Sequence, residues 1–194
     1  MQRSKPPWIA PSTAEGPCML KGAELRAILA LPFNVLVTIP ALLLWWSGDA
    51  AWPAVGLLQG GLAFACFGIG LTLMITTIRL FSSEGHGTLA PWDPTEALVI
   101  RGPYRFVRNP MISGVLFNLF GEALIMGSWA LGLWFAGFFL GNAIYLPLFE
   151  EKGLAERFGS AYERYQRAVP RWLPRIRPYD HASDPNDPAR PPRA

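Results

Sequence analysis

The sequence predicts an all-α integral membrane protein with four transmembrane helices, the last two forming a C-terminal helical hairpin, plus a cytoplasmic loop and an amphipathic C-terminal helix. Three observations carry that expectation. Of 194 residues, 51% are hydrophobic and only 16% charged, with 8 Trp, a balance foreign to most water-soluble chains. Several apolar runs approach the roughly 20 residues that a helix needs to cross a hydrocarbon core of roughly 30 Å. The 17 Lys and Arg fall before residue 27, between Arg79 and Arg108, or from Lys152 onward, leaving the intervening turns without a positive charge.

Taken in order, residues 1–25 form a polar, proline-broken N-terminal segment that lacks the form of a signal peptide. The first span, about 26–46, is apolar apart from Asn34 and Thr38, with Pro32 and Pro40 as expected kinks. The second, about 54–78, is rich in glycine, including Gly68 and Gly70, which favours close helix packing. A third span, about 111–126, is followed by the tight turn at Gly127 and Ser128 and then by the fourth, about 129–149. At roughly 16 residues the third span covers only about 24 Å, short of the bilayer core. The positive-inside rule then puts both termini and the 79–110 loop in the cytoplasm, with a bacterial inner membrane as the expected location.

After the hairpin, a cytoplasmic helix is expected over about 150–168. Leu154, Phe158, Tyr162, Tyr165 and Val169 recur at spacings of three and four and define one apolar face. Gly159 costs such a helix about 1 kcal/mol of propensity and is a candidate break. Residues 179–194 are proline-rich and charged, the composition of a disordered tail.

Composition also excludes. Cys18 and Cys66 are too few for a disulfide framework, and His86 and His181 are too isolated for a metal cluster, so no metal site is expected. A net charge of +3 whose basic residues fit topology argues against nucleic-acid binding. The Gly68-Ile69-Gly70 triplet lies inside a span with no third glycine, which sets aside a soluble dinucleotide fold. Glu122 is an ionisable group in an apolar span, positioned to reach the far interface or to bond across the hairpin to Asn142, with Asn118 one turn away.

The chemistry concentrates on the cytoplasmic side, in RGPYRFVRNPM (101–111) and in EEKGLAERFGSAYERYQRAVPRWLP (150–174). Gly-Pro-Tyr-Arg-Phe-Val-Arg-Asn-Pro-Met after a helix, then a hairpin, then Glu-Glu, Phe-Gly, a tyrosine pair and Val-Pro-Arg-Trp-Leu-Pro, resembles the isoprenylcysteine carboxyl methyltransferase family and its phospholipid N-methyltransferase relatives. The resemblance covers about residues 56–174. It implies a single membrane methyltransferase domain over 26–178, taking S-adenosylmethionine from the cytoplasm and a small or lipophilic acceptor (a carboxylate, thiol or amine) from among the membrane lipids.

Carried onto this chain, the resemblance implies a cofactor pocket of Leu98, Val99, Tyr104, Arg108, Asn109, Pro110, Met111, Ile112, Glu150 and Glu151, with Arg108 and Glu150 central to catalysis. The donor has a sulfonium cation, ribose hydroxyls and a zwitterionic amino-acid end. Acidic side chains suit the ribose or amine, whereas Arg and N–H groups suit the carboxylate. Simpler roles stand beside these: Arg101, Arg105 and Arg108 as phosphate anchors at a membrane boundary, the two glutamates as the start of a helix, Tyr104 as an interfacial aromatic, and Gly68 and Gly70 as packing residues.

The chain departs from the carboxyl methyltransferase pattern in three places. Asn109 and Ile112 stand where Arg-His-Pro-x-Tyr is common, Glu96 replaces a histidine, and Leu146 occupies the place of an arginine associated with the prenylcysteine substrate. A prenylcysteine acceptor is therefore disfavoured. Two other classes share the gross layout: a steroid-reductase-type membrane enzyme using NADPH, and a noncatalytic membrane scaffold.

Overall fold

A computed structural model describes residues 31–49, 55–84 and 100–179. The expected N-terminal segment, the first residues of span one, the 85–99 stretch with His86, Glu96, Leu98 and Val99, and residues 180–194 with His181 lie outside the described residues. Among the described residues every regular element is helical. α1 is Leu31–Ser47 and α2 is Leu57–Glu84. A short 3₁₀ turn, Gly102–Arg105, precedes α3, Pro110–Met126. α4 is Trp129–Tyr145, α5 is Glu151–Phe158 and α6 is Ser160–Ala168.

Two helical stretches are long and apolar enough to cross a membrane: Leu57–Leu80, and Trp129–Phe158, in which α4 runs into α5. α1 and α3 are shorter apolar helices. Large side chains face outward along these rods, Leu57 at 96% exposure, Phe64, Leu140 and Ile144 among them, an arrangement that lipid, and not water, accommodates.

Since lipid tails offer no hydrophobic drive for helix association, close approach must come from small residues. α2 and α3 meet that way. A Cβ added at Gly70 would fall 2.7 Å from the Gly114 carbonyl oxygen, and one at Gly114 would fall 2.8 Å from the Gly70 oxygen. Gly68 faces open space. All four long helices contribute to the bundle core, with Val35, Met74, Val115 and Leu119 packed against Trp134, Phe135 and Phe138.

Prolines shape two helices in the same way. Pro40 has no N–H, and the preceding residues Asn34–Thr38 widen into a π turn in which Ile39 N–H bonds to the Asn34 oxygen. The Val35 carbonyl, which that arrangement leaves without a backbone donor, accepts the Trp134 indole N–H at 3.1 Å. Pro147 lies in a second π turn, Leu146–Glu150, where Glu151 N–H bonds to the Leu146 oxygen. The expected kink at Pro40 is thus an extra residue in the turn.

The hairpin turn is made by Gly127, at φ +57, a conformation that favours glycine. Glu122 does not bond to Asn142 as the sequence led one to expect. Asn142 Nδ2 donates to its own helix at Phe138 O (2.8 Å), and Glu122 Oε2 is buried without a partner. Asn118 Nδ2 donates to Gly114 O (2.9 Å) and to Met74 Sδ, which excludes it as the partner of Glu122.

Candidate functional site

At the end of the bundle where α3 begins and α4 ends, the segments on either side of the hairpin come together. The helix breaks at Gly159, at φ +52 and ψ −134, so α6 folds back and the expected apolar face closes on itself. Tyr162, Tyr165, Val169 and Tyr179 form a buried cluster lined by Leu154, Phe158 and Ile100. Tyr179 therefore packs with the folded part of the chain.

Backbone pairing joins this cap to the 101–109 loop. Arg108 N–H donates to Pro170 O (2.9 Å), Arg175 N–H to Phe106 O (3.0 Å) and Tyr179 N–H to Arg105 O (2.8 Å). Tyr165 Oη donates to Tyr104 O (2.7 Å), Arg105 Nε to Tyr179 O (2.7 Å) and Ser113 Oγ to Trp172 O (3.1 Å). These contacts, separated by about 60 to 75 residues in sequence, fix Tyr104, Arg108 and Asn109 relative to the acidic pair.

The two neighbouring glutamates have different surroundings. Glu151, with 5% of its side chain exposed, takes Arg108 Nη1 (2.8 Å) and Arg171 Nε (2.7 Å) on Oε1, and Arg171 Nη2 (2.8 Å) and Gln166 Nε2 (2.9 Å) on Oε2. Burial raises its carboxyl, but the Arg171 hydrogen bonds, the Arg108 and Arg171 charges and Gln166 together outweigh this and hold it below the usual carboxylate range. Four donors meet its two oxygens, and through them Glu151 joins the cap to the 101–109 loop.

Glu150 has none of these partners. Its side chain is exposed; partial loss of hydration against the neighbouring protein, and then the like charge of Glu151, push its carboxyl upward. Tyr104 lies near enough to feel it: burial first and the Glu150 charge second lift its phenol above the ordinary range. Tyr162, which the sequence marked only as core, has its phenol against Arg108 and is pushed up to about 12, by burial and then by the Glu151 charge.

Two polar atoms at this cluster are buried without any hydrogen-bond partner: Arg108 Nε and Asn109 Nδ2. Arg108 is 10% exposed, with Nη1 held by Glu151. Buried donors are normally paired, so Arg108 Nε and Asn109 Nδ2 stand out as donors that the described residues leave unsatisfied. The donor set suits a zwitterion: N–H groups at Arg108 and Asn109 for a carboxylate, and the free carboxylate of Glu150 for a cationic or hydroxyl-bearing part.

Of the other expected site residues, Pro110 is fully buried as the first residue of α3, and Met111 is partly buried against the core cluster that includes Val35 and Met74. Ile112 is half-buried. Arg101 is exposed, and Arg105 is spent on the 179 backbone. Sequence reasoning missed Arg171, Gln166 and Tyr162; the only hint was their position on or after the amphipathic helix.

A membrane helical bundle with a polar cap clasping an acidic pair defines the class. The model of the phospholipid methyltransferase family matches residues 58–161, and the chain belongs to that family. It is also 31% identical, over 159 residues, to methanethiol S-methyltransferase 2 of Bradyrhizobium diazoefficiens; the match covers 77% of this chain and 56% of that protein, so the chain spans little more than half the relative's length.

Proposed function

We propose that this chain is a methyltransferase that uses S-adenosylmethionine to methylate a small or lipophilic acceptor at the cytoplasmic face of a bacterial inner membrane, with four spans and both termini cytoplasmic. The observation that carries the reading is the pair of orphaned donors, Arg108 Nε and Asn109 Nδ2, in a cap where one tyrosine, Tyr162, feels the charges of both Arg108 and Glu150. When bound, the cofactor supplies a methyl group already activated on a sulfonium. Arg108 and Asn109 would hold its carboxylate, Glu150 its amine or ribose hydroxyls, and Tyr104 would close the side of the pocket next to Glu150. Glu151, Arg171 and Gln166 would act on none of these directly; they fix the guanidinium of Arg108.

A thiol is the acceptor class we favour. A thiolate would take the methyl by in-line displacement, the carbon–sulfonium bond breaking and the donor sulfur leaving as a neutral thioether, so that the cap's task would reduce to alignment and exclusion of water. Support comes from the name of the Bradyrhizobium relative and from Leu146, fully buried where an acceptor-binding arginine would otherwise stand.

Calorimetry of S-adenosylhomocysteine against the detergent-solubilised protein, Glu150→Ala, Arg108→Ala and Asn109→Ala tests the donor site. Binding by wild type and at least tenfold weaker binding by all three variants, with helical circular dichroism retained, is the expected result. Undiminished binding in Glu150→Ala and Asn109→Ala would move the donor elsewhere, and binding of NADPH in its place would favour a reductase.

A further inference from the structure

The stretch that follows the cap, RWLPRIRP (171–178), contains the most exposed large apolar side chains outside the helices among the described residues. Ile176 is 98% exposed and Leu173 is 73% exposed. Isolated exposed leucines are ordinary, but here the neighbours matter. Arg171, Arg175 and Arg177 alternate with Trp172, Leu173 and Ile176, and Pro174 and Pro178 bar a helix that would turn the apolar residues inward.

The depth of this stretch is fixed by Trp172. Its carbonyl accepts the Ser113 hydroxyl, in the first turn of α3, and its ring packs at 5.6 Å on Phe139, midway along α4. Phe139 belongs to the helix that faces lipid. α3, with 17 residues, covers only about 25 Å, whereas the helix running from Trp129 continues for 30 residues. The 171–178 stretch therefore meets the bundle at the first turn of the short helix, where Ser113 holds Trp172.

We propose that residues 171–178 form an interfacial membrane element, with Leu173 and Ile176 among the acyl chains of an anionic leaflet and Arg175 and Arg177 on its headgroup phosphates. Three features point to lipid as the occupant: continuity with the outward apolar surface of α4, the basic residues interleaved with the apolar ones, and aromatic anchoring of the kind found at membrane interfaces. Arg175 is held by its Nη1 bond to Ala168 O (2.9 Å), which ties its guanidinium to the last residue of α6. Arg177 is exposed. This element would hold Arg171, and through Glu151 the whole polar cluster, at the lipid boundary. The proposal rests on the membrane character of the chain and not on methyl transfer.

The test is site-directed spin labelling of the full chain, with Cys18 and Cys66 replaced by serine, in vesicles of phosphatidylcholine alone and of phosphatidylcholine with phosphatidylglycerol. Labels go at Leu173→Cys and Ile176→Cys, at Leu140→Cys on the outer face of α4 as the lipid reference, and at Glu163→Cys on exposed α6 as the water reference. Expected is an oxygen-to-nickel-chelate accessibility ratio at 173 and 176 several-fold above that at 163 and approaching that at 140, rising further with phosphatidylglycerol. Ratios like that at 163 would overturn the proposal, as would shielding from both reagents, which would mean that protein covers the stretch. Equal ratios in the two vesicle types would overturn the assignment of the arginines to anionic lipid. Retained binding of S-adenosylhomocysteine by the labelled chains separates this outcome from failure of the donor site.

Discussion

Helix α3 is held in two ways. Along its length it lies against α2 through Gly70, Gly114 and Gly121, where backbone touches backbone and no charge is involved. At its first turn it is held by a mesh of hydrogen bonds and ion pairs to residues 150–179, with Arg108 and Glu151 at the centre. The contrast follows from the two solvents. In lipid, association depends on fit and small residues; beyond it, a buried charge is tolerable only beside a counter-charge, as Arg108 is beside Glu151.

The largest effect is expected at the polar end. Glu151→Ala leaves Arg108 and Arg171 buried without their counter-charge, a loss of about 3–5 kcal/mol, read as a fall in the unfolding temperature in detergent together with loss of S-adenosylhomocysteine binding. A variant as stable as wild type would show that the mesh does not hold the cap. In the apolar interface, Gly114→Leu forces the side chain into Gly70 O and Met74 and costs about 1–3 kcal/mol, with little loss of donor affinity per surviving folded molecule. If it abolished binding at unchanged stability, the two regions would not be separable.

Acid distinguishes them as well. The folded-state pKa of Glu151 is depressed, so its contribution is fully present above the ordinary carboxylate value of about 4.3 and disappears as the pH falls through the lower folded value. Thermal unfolding of wild type in detergent should therefore lose temperature on acidification through that window, and Glu151→Gln should lack that component. Tyr165→Phe removes one hydrogen bond to Tyr104 O and should lower stability by about 1 kcal/mol while loosening donor binding. The smallest effect belongs to Gly68→Ala, which meets nothing and should change stability by less than about 0.5 kcal/mol; a larger loss of donor affinity would give Gly68 a cofactor role after all.

Much of this was legible from local pattern. The apolar runs placed α3 to within a residue, found where α4 begins, and located α2 less closely, since it starts at Leu57 and continues to Glu84 beyond the expected 54–78; a helix in lipid must bury its backbone and show apolar side chains all round. The three-and-four spacing of Leu154, Phe158, Tyr162, Tyr165 and Val169 found the buried face, and Gly159 found its break. Long-range pairing was harder to see. Nothing in the adjacent glutamates says which one Arg171 will claim, because that depends on a bond spanning 20 residues. The π turns were also hidden: proline signals a lost donor but not whether the chain will kink or take in an extra residue. Arg108 was found through its motif, yet its division between Glu151 and an unpartnered Nε is visible only in three dimensions.

The wide turn at Pro147 sets a phase. Each residue advances an ordinary helix by about 100°, but the π turn takes one extra residue into a single wide turn, so the acidic pair keeps the phase it would have in an unbroken α-helix one residue shorter. Tightening that turn to ordinary winding while keeping all its residues would swing the pair around the axis and carry Glu151 away from Arg171. The width of the turn is therefore as much a part of the machinery as the side chains that follow it.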